Sequence, residues 1–593
     1  MRFLFFLCLF TSSFVFSQND DPALAEDYFK NGEFEKALIS YQKLYKTNSR
    51  SLNYIYKIIR THQQLEQYKE AETFLNTLIA DKDYPPFTIE LGYNYALQND
   101  STTANSYYNK VINTVTYNPS YAFSIGKAFE NLSLLDQAVV TYTTAMEVNS
   151  EFNFDVQLAR IYGEQGDIKK MFTKYIEFSA TNLSYLNTIK REFNTFISED
   201  KNNENNKILR VILLKKIQDS PDILWNEMLS WLFIQQKEYT KAFVQEKAIY
   251  IREMESLDRI EELASIAYNQ GENDIATSIF TYIVENTQNL DSKINAHYNI
   301  LKIKTSDSTP KEYEAIEKEY QQLLNEYGGL LSAIDLKIAY AHFLAFYVKK
   351  TDKAILFLKE ALKADASQQK IAEIKLELGD ILVLEEKFNE ALIYYTQIQR
   401  SLKNSTISQE ARFKVAKTSY YKGDFKWAES QLKVLKASTS QLTANDALDL
   451  KLLIGDNKLE DSLQVALKSY AKADLLHFQN RNDEAITALD RILENHPSEA
   501  IIPQALLKQA QLFEIQKQYD KAITNYELII ANYSAGILAD DAIYGIALLY
   551  DKQLEQPEKA KPYYESILFN HQDSIFFVEA RKRFRALRGD SIQ

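Results

Sequence analysis

A chain of 593 residues with 46% hydrophobic content has ample material for a buried core, and its length alone suggests several domains. Its formal charge of −13, from 68 basic against 81 acidic side chains, leaves no basic surplus to neutralise phosphates, so nucleic acid is not an expected partner. The lone cysteine, Cys8, excludes a disulfide framework, and the dispersed histidines His62, His297, His342, His477, His496 and His571 include no His-Glu-x-x-His pair for zinc.

The chain opens with Met1-Arg2 and an apolar run from Phe3 to Phe10, followed by Thr11-Ser12-Ser13. Val15 and Ser17 then occupy the positions a signal peptidase reads before Gln18. This is the pattern of a secretory signal peptide over 1–17, too short for a stable bilayer anchor. Cys8 lies inside the apolar run behind Phe6-Leu7, with no small residue before it, so cleavage is expected and lipidation is not. Later in the chain the most apolar stretch, Ala333 to Val348, is interrupted by Asp335, Lys337 and His342, and no transmembrane segment is expected. The expected location is the periplasm or the periplasmic face of the outer membrane. The Phe-rich leader and the abundance of Lys, Asn, Ile and Tyr resemble exported proteins of the Bacteroidota.

Over 18–180 a small set of residues returns every 33 or 34 positions, with Ala37, Ala71, Ala104, Ala138 and then Met171 in the same place. The surrounding units read Gly32-x-Phe34-x-x-Ala37-x-x-x-Tyr41 and Ala138-x-x-x-Tyr142-x-x-Ala145, and later Phe388-x-x-Ala391-x-x-x-Tyr395 and Tyr519-x-x-Ala522-x-x-x-Tyr526. Upstream of the markers, Leu91-Gly92-x-x-Tyr95, Ile125-Gly126-x-x-Phe129, Leu158-Ala159-x-x-Tyr162 and Leu378-Gly379-x-x-Leu382 put a small residue where a second helix must cross closely. Turns such as Asn31-Gly32, Gly166-Asp167, Gly271-Glu272-Asn273 and Gly423-Asp424 supply the positive φ that ends a helix. A single hairpin of this kind cannot bury its apolar face, so neighbours must stack. With its small residue, aromatic, Gly, Ala and aromatic in this order, the pattern resembles the tetratricopeptide repeat. That resemblance implies an all-α solenoid of roughly 12–14 helical hairpins.

Further markers at Ala242, Ala276, Ala354, Ala391, Ala428, Ala485, Ala522 and Ala560, with a weaker one at Ile316, carry the pattern onward, some units stretched to 37 or 38 residues by longer loops. Pro85, Pro86, Pro119, Pro497 and Pro503 fall between units, and Pro562 is expected in the first turn of its helix. Between 181 and 222 no alanine unit occurs, and the stretch reads as an irregular helical spacer with a loop at the Asn-rich 201–206. A central array over 223–437 follows, degenerate near 305–329, then a helical insertion over 438–465 read as an extra hairpin, and a C-terminal array over 466–593 ending in a basic capping helix. From Ala471 onward the repeats resemble those of the periplasmic cell-division coordinator and of the repeat lipoprotein in the outer-membrane β-barrel assembly machine.

Catalytic patterns are missing: no phosphate-cradling loop with Lys and no Gly-x-Ser-x-Gly elbow occurs, so no cofactor, metal or catalysis is expected. In the repeat family the first helix of each unit lines the groove. Carried onto this chain, the resemblance places Phe123, Lys127, Tyr268, Asp380, Phe413, Lys417, Tyr420, Tyr421, Tyr470, Asp474, His477 and Gln511 in a candidate protein-binding groove. Rings flanked by charges suit recognition of protein segments. The carboxylate clamp of some family members is missing, since Phe123, Phe413 or Tyr470 stands where its lysine would be. Arg581, Arg583, Arg585 and Arg588 form a basic cluster, readable as a solvated cap or as a contact for an anionic partner. The expected role is a scaffold or adaptor for envelope proteins in assembly, secretion or division; alternatives are a periplasmic binding protein for peptide or glycan, or an enzyme with an unrecognised site.

Overall fold

The computed structural model describes residues 21–254, 256–435, 441–457 and 464–590. The expected signal peptide therefore lies outside the described residues. The chain divides into two compact units, with the boundary between Ser256 and Leu257. Both are built from successive antiparallel helices, and no strand occurs among the described residues.

The first unit runs from the pair Pro22–Lys30 and Phe34–Thr47 to the pair Ile223–Gln235 and Tyr239–Glu253. The second begins with Asp258–Asn269 and Asn273–Asn286 and ends with the unpaired helix Phe577–Arg588. Among the described residues, thirteen hairpins across the two units share one turn. A residue in the left-handed region sits five positions before the marker residue at Gly32, Glu66, Asn99, Ser133, Gly166, Lys237, Gly271, Lys349, Glu386, Gly423, Asn480, Lys517 and Glu555. At eleven of these turns the next N–H donates to the carbonyl five residues back, as from Glu33 to Tyr28, 2.9 Å, and from Asp167 to Tyr162, 2.8 Å. That bond satisfies a carbonyl the first helix leaves orphaned, and the donating residue is also the N-cap of the second helix. Nine of the thirteen positions are not glycine.

The marker alanines are 0–1% exposed. Opposite them the small residue of the first helix makes room for a tyrosine of the second. A Cβ on Gly92 would come within 2.7 Å of Tyr108 Cε1, and on Gly126 or Gly379 it would collide with Tyr142 or Tyr395. The buried tyrosine then donates a hydrogen bond from its hydroxyl to a carboxylate of its own hairpin: Tyr41 to Glu26 at 2.8 Å, Tyr142 to Glu130 at 2.7 Å, Tyr395 to Asp380 at 2.6 Å and Tyr564 to Asp551 at 3.0 Å. These four hairpins are thus each locked by one buried ring whose polar tip is satisfied at the edge, whereas the Tyr108 hydroxyl under Gly92 has no hydrogen-bond partner among the described residues.

Several local expectations are corrected. Units of 37 residues gain length within helices as well as loops, since Thr406–Tyr421 has 16 residues against 13 in Leu52–Gln64. Pro562 lies inside the helix Pro557–Asn570, where it removes one backbone donor; Pro557 holds the first turn. The Asn-rich stretch is a bonded cap: Asn203 accepts from the Asn205 and Asn206 N–H groups, and the Asn206 carboxamide donates to Ser198 O at 2.7 Å and Asp200 O at 2.9 Å. It opens helix Glu204–Asp219, whose Leu209 and Leu213 are fully buried. Of the helical insertion expected over 438–465, the described part contains one long helix, Gln441–Asn457.

Candidate protein-binding groove

Within the second unit, three first helices of successive hairpins, Thr406–Tyr421, Val465–Phe478 and Ile502–Ile515, lie side by side with the unpaired Gln441–Asn457. This helix buries Ala447, Leu450 and Ile454 in the core shared with Leu432, Leu467 and Ile502. Its other face carries Asp446, Asp449, Leu453 and Asp456, a 3-4-3 spacing that puts them on one stripe. That stripe walls a cleft of about 800 Å³, floored by Phe413, Lys417, Tyr470, Asp474, Gln504, Leu507 and Gln511 and closed by Ile537, Leu538, Asp541 and Ile575. A second cleft of about 370 Å³ adjoins it through Phe413 and Lys417 and includes Asp380, Lys414, Tyr421 and Phe478.

The floor is held by one buried carboxylate. Asp474, 8% exposed, takes Lys417 Nζ at 2.6 Å and Lys508 Nζ at 2.9 Å. Burial pushes its carboxyl up, but the two ammonium groups overcome this and hold it at about 2. Lys417 also lies 5.2 Å from the Tyr420 ring and 5.3 Å from the Tyr421 ring. Further back, the Gln479 carboxamide donates to Leu384 O at 3.0 Å, and Lys472 Nζ meets Glu386 Oε1 at 2.7 Å, tying the helix that carries Asp474 to an earlier hairpin turn.

Of the residues expected in the groove, Phe413, Lys417, Tyr470, Asp474 and Gln511 come together in the larger cleft, and Asp380 and Tyr421 in the smaller. Tyr420 is corrected to a core position: its ring is 0% exposed because the helix turns it into the interface with Phe425. His477, in the last turn of its helix, spans the following hairpin turn, its Nδ1 2.9 Å from Asn482 Oδ1, as His62 pairs with Gln67 in the first unit. Asp380 is engaged within its own fold by Tyr395 and by Lys414 Nζ at 2.7 Å. Tyr268 lies away from both clefts, under Lys302 at 5.1 Å. In the first unit Phe123 is 55% exposed and Lys127 pairs with Glu130 at 2.7 Å. At the C-terminal helix, Arg583 grips Asp551 through two nitrogens at 2.7–2.9 Å, so its guanidinium is a fold contact. Arg585 and Arg588 lie beside Asp590, while Arg581 is exposed. The acidic wall Asp446, Asp449, Asp456 and Asp541 was not anticipated from sequence; its 3-4-3 stripe was the available clue.

Among the described residues, no group of three or more His, Cys, Asp or Glu side chains is arranged to hold a metal ion, and no helix is long and apolar enough to cross a membrane. The stacked pairs make the chain an all-α solenoid of helical hairpins, a protein-interaction class of fold. Residues 470–537, which include much of the groove floor, match the family described as tetratricopeptide repeat. Among curated proteins no significant match was found. Among solved structures, a chain in the APC/C hetero-tetramer Cut9–Hcn1 is similar at 14% identity over 87% of this chain and 94% of that one, with a TM-score of 0.27. A chain in Naa15/Naa10 bound to HypK-THB is similar at 12% identity over 96% and 95%, with a TM-score of 0.30. Yeast Tom70 is similar at 15% identity over 84% and 99%, with a TM-score of 0.29. At scores this low, the fold class rests on the helix pairs of the chain itself.

Proposed function

We propose that this protein is an exported, non-catalytic scaffold that binds protein segments of the cell envelope through the groove of its second unit. One observation carries the reading: a non-repeat helix, Gln441–Asn457, stands beside the first helices of three hairpins and walls a cleft bordered by exposed Leu452, Ile537 and Ile575. Solenoids present such faces to partners, and exposed apolar side chains around a concave surface mark a protein-binding site. Export is supported by the apolar leader-like run from Phe3 to Phe10, and residence in the periplasm or at the outer membrane follows from it. A bacterial source resembling the Bacteroidota, and a place in envelope assembly, secretion or division, belong to the same proposal.

Site-specific photo-cross-linking in intact cells tests it. A photoreactive residue at Gln511, in the groove, is expected to trap one stoichiometric envelope protein; the same residue at Ile393, exposed on the second helix of a hairpin, is expected not to. Equal yields at both positions, or none at either, would overturn the groove as the working surface.

A further inference from the structure

The charge of the groove is unbalanced. Both lysines that line the larger cleft are committed to Asp474, yet Asp446, Asp449, Asp456 and Asp541 line it too, and no cation lies in ion-pair range of them among the described residues. Asp449 and Asp541 stand on opposite walls, one on Gln441–Asn457 and the other on Ala539–Leu548, close enough to raise the proton affinity of Asp541. Burial is the largest cause for Asp541, followed by Asp540 and Asp449, and its carboxyl rises to about 6; Asp449 is raised by burial and then by Asp446. Like charges facing one another across a concave, partly desolvated space are unfavourable until a cation arrives.

Apolar side chains lie among these carboxylates. Leu452 is 42% exposed, Ile537 69% and Ile575 86%, and Leu453 and Leu507 line the cleft between them. Large apolar side chains that remain open to water beside unpaired charges describe the complement of an amphipathic surface of opposite sign. Phosphate-bearing ligands are disfavoured, since these carboxylates would repel them.

We infer that the groove docks a cationic amphipathic segment of its protein partner, with Lys or Arg against Asp446, Asp449 and Asp541 and apolar side chains against Leu452, Leu453, Ile537 and Ile575. This rests on the scaffold reading and specifies the partner's chemistry. The inserted helix gives the groove its selectivity, because it supplies three of the four cleft-lining carboxylates that have no ion-pair partner among the described residues.

Fluorescence anisotropy of the full chain tests it, with a labelled amphipathic peptide made of Leu and Lys and a counterpart carrying Glu for every Lys. The Lys peptide is expected to bind and the Glu peptide not to. The triple variant Asp446→Asn, Asp449→Asn, Asp541→Asn is expected to weaken binding at least about tenfold, and raising salt from about 50 to about 300 mM to weaken it further. Neutralising the exposed Glu314, Asp352 and Glu360, away from the groove, is expected to leave affinity within about twofold, separating docking from attraction to an acidic protein. Ile537→Ser with Ile575→Ser, both at exposed positions, is expected to weaken the Lys peptide without loss of helicity. Equal binding of both peptides, or unchanged affinity in the folded triple variant, would overturn the inference. If Gln511 traps a partner through an acidic or neutral segment, the charge assignment falls and the scaffold reading stands. If the Lys peptide binds as described but Gln511 traps nothing in cells, the groove's preference for a cationic amphipathic segment stands as its chemistry, while the scaffold reading, and with it docking of a protein partner there, falls.

Discussion

The Asp474 carboxylate lies 2.6 Å from the Lys417 ammonium across 57 residues of sequence, and through Lys508 it joins a third helix. These bonds set the spacing of the groove floor. Removing the carboxylate strands two partly buried ammonium groups, so Asp474→Ala is expected to cost about 3–5 kcal/mol. Hydrogen exchange should show loosening of Thr406–Tyr421, Val465–Phe478 and Ile502–Ile515 together. Because the folded carboxyl is held near 2, below its unfolded value of about 3.9, its stabilisation is complete above pH 4 and is lost as pH falls toward 2. Acid titration of the wild type against Asp474→Asn checks the sign.

Phe413 and Tyr420, seven residues apart on one helix, should separate binding from folding. Phe413 borders both clefts while half-buried against the core, and Phe413→Ala is expected to reduce partner cross-linking at Gln511 while costing less stability than Tyr420→Ala. Tyr420 is fully buried, and Tyr420→Ala is expected to cost about 3–5 kcal/mol. Its hydroxyl has no hydrogen-bond partner among the described residues, so Tyr420→Phe should be neutral or slightly stabilising.

The notch beneath Tyr142 is expected to reject even one methyl group. Gly126→Ala would drive a Cβ into the ring, whose hydroxyl is held by Glu130, at a cost of about 1–3 kcal/mol. Gly126→Ala combined with Tyr142→Phe keeps the ring in place and so should recover little; a full recovery would show the notch to be loose.

Left-handed turn residues predict opposite effects at equivalent positions. Lys237 has a φ of 56° and Gly271 of 81°. Lys237→Gly is expected to stabilise by up to about 1 kcal/mol and Gly271→Ala to destabilise by about 1–2 kcal/mol, read as shifts in chemical denaturation of the full chain.

Glu90 offers a pH test in the first unit. Burial raises its carboxyl to about 7, a rise that Arg60 at 3.0 Å only partly offsets. The folded value exceeds the unfolded value of about 4.3, so this group favours folding most at low pH, and its contribution declines as pH rises from about 4 to 7. Relative to the wild type, Glu90→Gln should therefore be more stable at pH 8 than at pH 5. The reverse order of melting temperatures would refute the assignment.

The period was legible because it is enforced locally at every hairpin. Ala37, Ala71 and Ala104 repeat at the helix crossing, and Gly92 and Gly126 mark where a tyrosine must enter, so small and aromatic residues return at fixed intervals. The turns were half legible. Gly32, Gly166, Gly271 and Gly423 announce the left-handed position, while Glu66, Lys237 and Lys517 adopt it unannounced because the capping bonds and the packed pair on either side outweigh a cost of about 1 kcal/mol.

Sequence alone determined the helical hairpins, their number to within a few, and which residues face inward, because these follow from contacts within one unit and its neighbour. Tertiary structure decided which groove positions are open. Asp380, Tyr420, His477 and Arg583 occupy slots that read as surface, and each is taken up by a partner or buried by packing. It also decided the groove's charge. The Gln441–Asn457 helix obeys no repeat, and its acidic stripe acquires meaning only when stacking sets it opposite Asp541, almost a hundred residues further along the chain.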